Sequence, residues 1–314
     1  MLAVVAVEGN VEVQERPDPE PGTGEILVRV RAAGLNGADL LQRAGRYPPP
    51  DAVALDRLGL ELAGVVEACG PVVTRFAPGD AVMGLVTGGG QAELVVLHER
   101  LAMPVPPGTP WPVAGGFAEV FTTAHDALVT QCGLRSGDRL LVNGAAGGVG
   151  TAAVQVGVQL GASVVASVRA PERRGAVAEL GAEAVAPDEA HERGPFDVVL
   201  ELVGAPNLSA NLQALATGGR IAIIGTGAGA RAEIDLGRLM VARAVLRGST
   251  LRARPLEEKA LAARLVEHQV VPLLAAGRIQ VPLAATFPLA EAAAAYDRFA
   301  AGAKLGKIVL TLGG

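Results

Sequence analysis

The sequence predicts an α/β protein of two domains, one β-rich and one built on a doubly wound parallel sheet. Short β-branched runs separated by proline and glycine turns fill residues 1–115, whereas strands alternate with helices over residues 116–254. A third observation is the terminal segment GKIVLTL, which is β-rich in the manner of the first region. We therefore expect residues 255–314 to complete the domain formed by residues 1–115.

The first region contains apolar runs with the character of short strands. They are LAVVAV, EILVRVRAAG, LAGVVEACG, DAVMGLV and AELVVLH. Proline, glycine and aspartate between them favour turns, and short strands at such spacing predict a small, mostly antiparallel barrel or sandwich. The proline-rich segment at 103–112 (MPVPPGTPWP) marks the connection to the next region.

The second region alternates strands and helices. Its predicted elements are the strand DRLLVNG, the helix GVGTAAVQVGVQLGA, the strand SVVASV, the helix PERRGAVAELGA, the strands EAVAP and FDVVLELVG, the helix PNLSANLQALAT, the strand GRIAIIG, a helix around 233–243 and the strand VLRGSTL. Because these strands are mainly apolar and alternate with helices, they predict a parallel sheet covered on both faces. Two further helices are predicted at 258–276 and 289–302, before the terminal strand.

Composition indicates a folded globular protein. The 314 residues are 50% hydrophobic, with 41 glycines and 21 prolines, which suits a turn-rich fold. A net charge of −5 gives no electrostatic footprint for nucleic acid or anionic membranes. Cys69 and Cys132 are expected to be free thiols in a reducing cytoplasm, with one disulfide as the alternative. No signal peptide or membrane span is predicted, and we expect a cytoplasmic location.

A glycine-rich loop between a strand and a helix predicts nucleotide binding. In LLVNGAAGGVGTAAVQ (140–155) alanine replaces the first glycine of the usual dinucleotide fingerprint, and the other two glycines are in place. The second allows a pyrophosphate to approach the backbone, the third lets the helix pack on the strand, and the helix N-terminus offers N–H groups. The alternative is a tight turn without a ligand. The predicted contacts are Ala145, Gly147, Gly148, Val149 and Gly150.

The end of the second strand distinguishes NADPH from NADH. NAD-specific sites place a carboxylate there, about 20 residues after the loop, to hold the ribose 2′-hydroxyl. Here Ser167 ends the strand, and arginines follow in SVRAPERR. Arginine forks suit a 2′-phosphate, so NADPH is favoured, with Ser167, Arg169 and Arg173 as contacts. Glu172 conflicts with this and is expected to point outward, and a solvated helix face is the alternative for the arginines.

Several segments together resemble one enzyme superfamily. They are GLNGADLLQRAGRYPPP, LGLELAGVVEACG, GGGQAELVV, GAAGGVGTAAVQ, GGRIAIIG and GKIVL, in the correct order over nearly the whole chain. The chain resembles the medium-chain dehydrogenases/reductases, and within them the zinc-free quinone oxidoreductases related to zeta-crystallin, nearest the tumour-suppressor-inducible branch. The resemblance implies a GroES-like domain (1–115 with 255–314), a Rossmann NADPH-binding domain (116–254) and a homodimer, by edge pairing of Rossmann sheets.

The resemblance also concerns metal use. Zinc-dependent relatives ligate the metal with an early cysteine, a histidine in a Gly-His-Glu motif and a second cysteine, and the matching positions here are Asn36, Leu60 and Glu119. Leucine cannot ligate, an amide is a poor zinc ligand, and no thiolate remains among the three. The four-cysteine lobe of those relatives is missing from GLVTGGGQAEL, and the four histidines show no ligand spacing. We therefore expect no zinc and no other metal.

The resemblance places the reacting end of the site near Asn36. It implies that Asn36 and the stretch to Leu41 line the nicotinamide side, and that Tyr47 approaches the substrate carbonyl, either donating a hydrogen bond or stacking. Thr123 matches a family threonine near the nicotinamide. The alternatives are a turn residue for Asn36, a packed rim aromatic for Tyr47 and an ordinary helix hydroxyl for Thr123. Asp39 is expected to be a structural hydrogen-bond acceptor or a helix-start residue rather than an acid.

Other cofactor contacts are implied beyond the glycine-rich loop. The backbone at Ile224–Gly227, with Gly225 and Thr226, and Leu251 are expected to receive the ribose and carboxamide, because glycines after a strand end line the ligand crevice. Lys307 is expected to reach the cofactor phosphates, with a surface charge as the alternative.

One segment departs from the pattern of the relatives. A tyrosine that commonly follows the third Rossmann strand, near the adenosine, is Pro187 here. Residues 186–196 form a shorter connection than usual, which predicts a missing helix and leaves the adenine-side contacts open.

Three functions fit these features. The leading one is metal-free reduction of a quinone by NADPH, because quinones accept electrons readily and need only hydrogen bonds to stabilise the developing charge. The second is reduction of an activated C=C bond in an enal, enone or enoyl thioester, although a carrier-borne thioester would favour a basic patch that is not obvious near residues 34–60. The third is a non-catalytic NADPH-binding protein with a structural or RNA-binding role, against which the acidic balance and scarce aromatics argue.

Overall fold

The computed structural model describes residues 1–47, 50 and 56–313. The chain divides into two compact units, one made of Met1–Thr122 with Leu251–Gly314 and the other of Thr123–Thr250. Cys69 and Cys132 are both free, as predicted. None of the helices in the described part of the chain is long and apolar enough to span a membrane.

Strands and helices occupy the following ranges. The strands are β1 (Leu2–Val7), β2 (Asn10–Glu15), β3 (Glu25–Gly34), β4 (Glu61–Cys69), β5 (Ala81–Leu85), β6 (Leu94–His98), β7 (Ala102–Pro104), β8 (Arg139–Asn143), β9 (Ser163–Ser167), β10 (Glu183–Val185), β11 (Phe196–Glu201), β12 (Leu215–Ile223), β13 (Val245–Gly248), β14 (Leu283–Pro288) and β15 (Lys307–Thr311). The helices are α1 (Gly37–Arg43), α2 (Trp111–Gly115), α3 (Ala118–His125), α4 (Gly148–Gln159), α5 (Pro171–Ala178), α6 (Pro187–Ala190), α7 (Leu208–Gln213), α8 (Leu236–Ala242), α9 (Leu256–Gln269), α10 (Val271–Ala275) and α11 (Ala292–Ala300).

The first unit is built on a largely antiparallel sheet in the order β14-β15-β3-β4-β5-β7, with β6 also paired to β3. β3 is central, because β4 lies along one edge while β6 and β15 share the other. β1 and β2 form a separate antiparallel hairpin. The core is aliphatic and includes Ile26, Leu62 and Leu310, together with Tyr296 of α11. The terminal strand β15 therefore lies in the sheet whose other strands, apart from β14, come from the first 104 residues.

The second unit is built on a parallel sheet in the order β10-β9-β8-β11-β12-β13. In chain order this is 3-2-1-4-5-6, the order of a dinucleotide-binding doubly wound fold. Four of the five residues of β8 and of β9 are buried, which explains why these strands read as unbroken apolar runs. The topological switch point lies between β8 and β11, where such sheets bind ligands at the carboxyl ends of the strands. The predicted fold class is confirmed.

Three local predictions differ from the structure. Residues 186–196 keep a short helix, α6, followed by a 3₁₀ turn at His191–Arg193, so a helix is present where one was expected to be missing. The helix predicted over 258–276 is two helices, because Pro272 in a continuous helix would remove an N–H and clash with the preceding turn. The strands β2, β7 and β14 (NVEVQE, AMP and LAATFP) were not predicted, since each is very short or has few large apolar residues.

Candidate active site

The glycine-rich loop connects the end of β8 to the start of α4. A Cβ added at Gly150 would lie 2.5 Å from the oxygen of Gly144 and 2.6 Å from the Cα of Ala145, so only glycine permits this packing of helix on loop. A Cβ added at Gly147 would meet only the oxygen of Gly144, at 3.5 Å, which leaves room beside the helix N-terminus. Gly147, Gly148 and Val149 are partly exposed. The first N–H groups of a helix lack intrahelical acceptors, so this loop fits a pyrophosphate.

Ala145 and Ser167 join the loop to the neighbouring strand. The N–H of Ala145 donates to the main-chain oxygen of Ser167 at 3.2 Å, and both residues are buried. Alanine at the first fingerprint position is therefore accommodated inside the unit and does not face solvent.

The arginines after β9 surround the carboxyl end of that strand. Arg169 is exposed, Arg173 forms a 3.1 Å ion pair with Glu172, and Glu172 is itself exposed, as expected. Arg174, which was not among the predicted contacts, donates through Nε to the main-chain oxygen of Val168 at 3.1 Å. This bond holds a guanidinium at the strand end, where the ribose of a dinucleotide binds in folds of this class.

A buried carboxylate at the end of β11 was not selected from the sequence either. Glu201 is 1% exposed and accepts hydrogen bonds from the N–H groups of Val203 (2.6 Å) and Gly204 (2.7 Å). It also accepts from the side-chain amides of Asn143 (2.9 Å) and Asn211 (2.7 Å). Because Asn143 directly precedes the glycine-rich loop, Glu201 ties the ends of β8 and β11 together at the switch point. An acidic residue closing an apolar strand (FDVVLE) was the signal that could have found it.

The loops that follow β11 and β12 pack on each other. The N–H of Ala205 donates to Gly229 and that of Ala228 to Val203, both at 2.9 Å. A Cβ at Gly225 would lie 2.4 Å from the oxygen of Leu202. Gly225, a predicted cofactor contact, therefore has to be a glycine for the two loops to pack this closely. Thr226, the next predicted contact, is exposed in the same loop.

In the first unit, Asn36 belongs to a buried polar cluster with Glu61 and Lys307. Lys307 is 2% exposed, and its Nζ donates to Glu61 Oε1 (2.5 Å), Asn36 Oδ1 (2.7 Å) and the main-chain oxygen of Leu35 (2.8 Å). Asn36 Nδ2 donates to Glu61 Oε1 at 3.0 Å, and the N–H of Glu119 donates to Glu61 Oε2 at 2.8 Å. This geometry corrects the expectation that Lys307 reaches the cofactor phosphates, because its three donors are bonded to protein oxygens.

Asp39 organises the turn that presents Asn36 at the start of α1. Its carboxylate is fully buried and accepts hydrogen bonds from the N–H groups of Asn36 (2.8 Å) and Gly59 (3.1 Å). Burial raises the pKa of Asp39 to about 6, although these N–H donors and the charge of Lys307 act in the opposite direction. The predicted structural role of Asp39 is confirmed.

A small, partly open pocket, with a cavity volume of about 20 Å³, lies beside this cluster. Its lining residues are Leu60, Leu85, Val86, Thr87, Leu101, Glu119, Leu251, Arg252 and Lys259. Leu60 and Glu119, which match two ligand positions of the zinc-dependent relatives, thus face the same space, and so does the predicted contact residue Leu251. Within residues 1–47, 50 and 56–313, no group of three or more His, Cys, Asp and Glu side chains could hold a metal ion.

The remaining predicted site residues are distributed over two helices and one turn. Tyr47 follows α1, and its ring lies under the guanidinium of Arg252 at 5.2 Å. Burial raises the pKa of the Tyr47 phenol, and the positive charge of Arg252 opposes the rise. Leu41 on α1 is 36% exposed, and Thr123 on α3 is partly buried.

Comparison with known proteins identifies two family segments. Residues 22–132 match the alcohol dehydrogenase GroES-like domain, and residues 174–310 match the zinc-binding dehydrogenase family. The first corresponds to most of the antiparallel sheet, and the second begins in α5 and extends to β15.

Solved structures of similar proteins cover the chain from end to end. A quinone oxidoreductase from Pseudomonas syringae is 27% identical with a TM-score of 0.87, covering 99% of each chain. A mycobacterial protein solved in complex with NADPH is also 27% identical with a TM-score of 0.87, over 99% of this chain and 100% of that one. An NAD-dependent alcohol dehydrogenase is 28% identical with a TM-score of 0.86, covering 100% of both.

Curated relatives include much longer polyketide synthases. A spectinabilin polyketide synthase system protein of Streptomyces orinoci is 34% identical over 92% of this chain, which spans only 13% of that protein. The phthioceranic/hydroxyphthioceranic acid synthase of Mycobacterium tuberculosis is 34% identical over 92% of the chain and 14% of its own length. With the two family segments and the end-to-end structural likeness, these matches confirm the resemblance noted in the sequence: the chain belongs to the medium-chain dehydrogenase/reductase superfamily and has its quinone-oxidoreductase-like fold.

Proposed function

We propose that the protein is a zinc-independent NADPH:quinone oxidoreductase. The observation that carries the proposal is the buried cluster of Asn36, Glu61 and Lys307. Both polar atoms of the Asn36 amide are engaged, Oδ1 by Lys307 and Nδ2 by Glu61, and Leu60 is a hydrocarbon, so this donor set suits hydrogen-bond chemistry better than a metal. End-to-end likeness to a quinone oxidoreductase supports the choice of acceptor.

NADPH is the cofactor that the second unit fits best in this proposal, and when bound it supplies a hydride. Gly147, Gly148 and Val149 would receive the pyrophosphate at the start of α4, where a side chain at Gly147 would fill the open space. Arg169, Arg173 and Arg174 would receive the 2′-phosphate, with Ser167 at the strand end. Gly225, Thr226 and Leu251 stay predicted contacts of the ribose and carboxamide.

The residues of the first unit would orient and polarise the acceptor. A tyrosine phenol is protonated at neutral pH, and the raised pKa of Tyr47 moves its ionisation further from that pH. Tyr47 would therefore donate a hydrogen bond from Oη to the acceptor oxygen rather than act as a base. The second hydrogen of Asn36 Nδ2 is available as a further donor, because Glu61 uses only one of the two. Leu41 and Thr123 stay predicted contacts near the nicotinamide.

A second candidate is NADPH-dependent reduction of a C=C bond in an enone, enal or enoyl thioester. It is favoured by the 34–35% identity to segments of polyketide synthases, where an enoyl thioester reductase would fit. Lys259, a cationic residue of the pocket lining that is partly exposed, is also compatible with a substrate that carries an anionic carrier.

A substrate panel separates these functions. NADPH oxidation would be followed by absorbance with 1,4- and 1,2-quinones, enones and enoyl thioesters, before and after dialysis against a chelator. We expect turnover of quinones that survives the chelator. Turnover of enoyl thioesters alone would establish the second candidate, whereas tight NADPH binding without any turnover would support a non-catalytic binding protein. Activity lost on dialysis and restored by zinc would refute the metal-free site.

The cofactor assignment has a separate test. Arg173→Ala and Arg174→Ala should each raise the KM for NADPH about 10- to 100-fold, the effect of losing a charge-assisted hydrogen bond, and should change the KM for NADH much less. Arg193→Ala is the matched control, because Arg193 pairs with Glu183 on the edge strand β10. Equal losses for NADPH and NADH would mean that these arginines do not read the 2′-phosphate.

The predicted homodimer is also carried forward as a proposal. β13 is an edge strand of the parallel sheet, and large apolar side chains on it and on α8 are exposed. They are Leu236 (62%), Met240 (75%), Val241 (73%) and Val245 (46%). An unpaired edge with an apolar border favours antiparallel pairing with a second copy about a two-fold axis.

A further inference from the structure

Arg252 is a buried cation that connects separate segments of the first unit. Its side chain is 7% exposed, and its guanidinium donates to Gln42 Oε1 (2.5 Å), to the main-chain oxygen of Tyr47 (2.9 Å) and to that of Thr87 (2.7 Å). These acceptors lie on α1, on the turn that follows it and on the loop after β5. The same guanidinium stands over the Tyr47 ring, 5.2 Å from its centre. Arg252 therefore holds both the main chain and the ring of Tyr47.

The charge of Arg252 is costly at this position. Burial lowers its pKa, the negative charges of Asp39 and Glu119 act in the opposite direction, and the three oxygens that accept from its guanidinium are neutral. A methionine of similar length could fill the volume without the desolvation penalty of a buried charge. What only an arginine supplies is a planar set of donors that reaches three acceptors at once while stacking on an aromatic face.

We propose that Arg252 is a positioning residue that fixes the orientation of Tyr47 for hydrogen bonding to the acceptor. This inference rests on the proposed function, since it assigns Tyr47 the contact with the acceptor oxygen. The main-chain bond limits where the Tyr47 backbone can lie, and the guanidinium 5.2 Å from the ring centre favours the ring orientation that keeps its face toward the cation. Oη is thereby placed before substrate arrives, and its hydrogen bond costs no reordering at the moment of reaction.

Two charged groups act on the Tyr47 phenol from the elements around it. The cation of Arg252 lowers its pKa, whereas the carboxylate of Glu119 and burial raise it. Removing the cation while keeping the volume filled should therefore raise the pKa of Tyr47. The change in the pKa of Tyr47 can be measured without any substrate turnover, so it tests the contact between Arg252 and Tyr47 independently of activity.

The kinetic test is a double-mutant cycle. Arg252→Met should lower kcat with the acceptor about 10- to 100-fold, the size expected for a misplaced catalytic group, and should leave the KM for NADPH within about twofold. Arg252→Lys should restore only part of the loss, because a lysine cannot reach three acceptors in one plane. In a Tyr47→Phe background, Arg252→Met should have little further effect. If the fold-decrease in kcat of the double variant equals the product of the fold-decreases of the two single variants, the two residues act independently and the proposal is wrong.

Arg75→Met is a matched control for general destabilisation. Arg75 also donates to two main-chain oxygens, those of Glu99 and Ala102, and stands 5.0 Å over the ring of Phe76. Its removal takes away these contacts, and also an ion pair with Glu267 at 2.9 Å, at a site that does not include Tyr47. The control therefore perturbs the fold at least as much as Arg252→Met does, while kcat should stay near the wild-type value. A loss in Arg75→Met equal to that in Arg252→Met would overturn the positioning role.

The spectroscopic test uses tyrosine ionisation. The sequence has two tyrosines, and burial raises the pKa of the other, Tyr296, well above its ordinary value. Ultraviolet difference absorbance, with Tyr47→Phe to assign the signal, should show Tyr47 ionising at higher pH in Arg252→Met than in wild type or Arg75→Met. A midpoint that does not rise would overturn the contact. If the protein turns over no acceptor, the proposed function is wrong, but this measurement still shows whether the Arg252 guanidinium lies close to the Tyr47 phenol.

Discussion

Replacing Lys307 by methionine should destabilise the first unit strongly. The substitution keeps most of the side-chain volume but removes three N–H donors from a site where Lys307 is 2% exposed and Glu61 is fully buried. The Glu61 carboxylate keeps its bonds to Asn36 Nδ2 and to the N–H of Glu119 but loses its counter-charge. Removing one partner of a buried ion pair costs about 3–5 kcal/mol.

Urea unfolding followed by tryptophan fluorescence measures this loss. The only tryptophan of the sequence, Trp111, lies on α2 in the first unit, so its emission reports the unit that contains the cluster. The double variant Lys307→Met/Glu61→Gln should regain much of the stability, because it leaves no buried charge without a partner. Lys304→Met, three residues away and partly exposed, removes a hydrogen bond to the main-chain oxygen of Gly306 and a contact with the Phe299 ring. It should cost about 1 kcal/mol, well below the loss for Lys307→Met.

A loss below about 1 kcal/mol for Lys307→Met, when broken buried pairs typically cost several, would refute the reasoning. It would mean that the amine and the carboxylate are hydrated or neutral in the folded protein. The position of Lys307 beneath Asn36 would then need a different explanation, and its assignment to the cofactor phosphates would be open again.

Three further predictions concern other parts of the chain. Asp39→Asn should flatten the pH dependence of stability. In the wild type, the pKa of Asp39 is about 6 in the folded state against an ordinary 3.8, so this group contributes about 3 kcal/mol of stability that is complete below about pH 4 and lost as the pH rises through 6. If urea unfolding shows the same difference in stability between wild type and variant at every pH from 4 to 7, the prediction is wrong. Gly150→Ala should cost about 1–3 kcal/mol and weaken NADPH binding, since its Cβ would lie 2.5 Å from the oxygen of Gly144, and calorimetric binding as tight as in wild type would argue against it. Val245→Asp should give a monomer in light scattering after size exclusion, because it places a charge on the exposed edge strand; a dimer that persists would locate the interface elsewhere.

The sequence predicted the second unit well because its signals are local. The loop at 140–155, the strand ends and the apolar runs each depend on residues within about one strand–turn–helix unit, the range over which periodicity and turn chemistry are informative. The same holds for Gly150, whose requirement arises from atoms five to six residues away. β14 was missed because LAATFP has few residues that favour a strand. It is extended because it forms hydrogen bonds with β15, a partner that the local sequence does not show.

The site of the first unit could be predicted only in part, because its partners are far apart in the chain. Asn36 was selected, but its contact with Lys307 crosses 271 residues. Arg252 reaches Tyr47 over 205 residues and Gln42 over 210. Neither side chain has a sequence neighbour that shows whether it is a surface charge or a buried donor, and an isolated Lys or Arg is normally exposed. Burial and partner choice are therefore properties of the fold.

The three positions that differ from the zinc-dependent relatives are linked through one carboxylate. Glu61 follows Leu60 directly, accepts from the Asn36 amide through Oε1 and receives the Glu119 N–H through Oε2. A cysteine at position 36 would remove the oxygen that accepts from Lys307, so this amine would lose a partner while Glu61 stayed paired. The substitutions at these positions are thus not independent, and Asn36→Cys alone should cost stability before it could offer a metal a ligand. This coupling is the reason we regard the hydrogen-bonded cluster as the organising feature of the site.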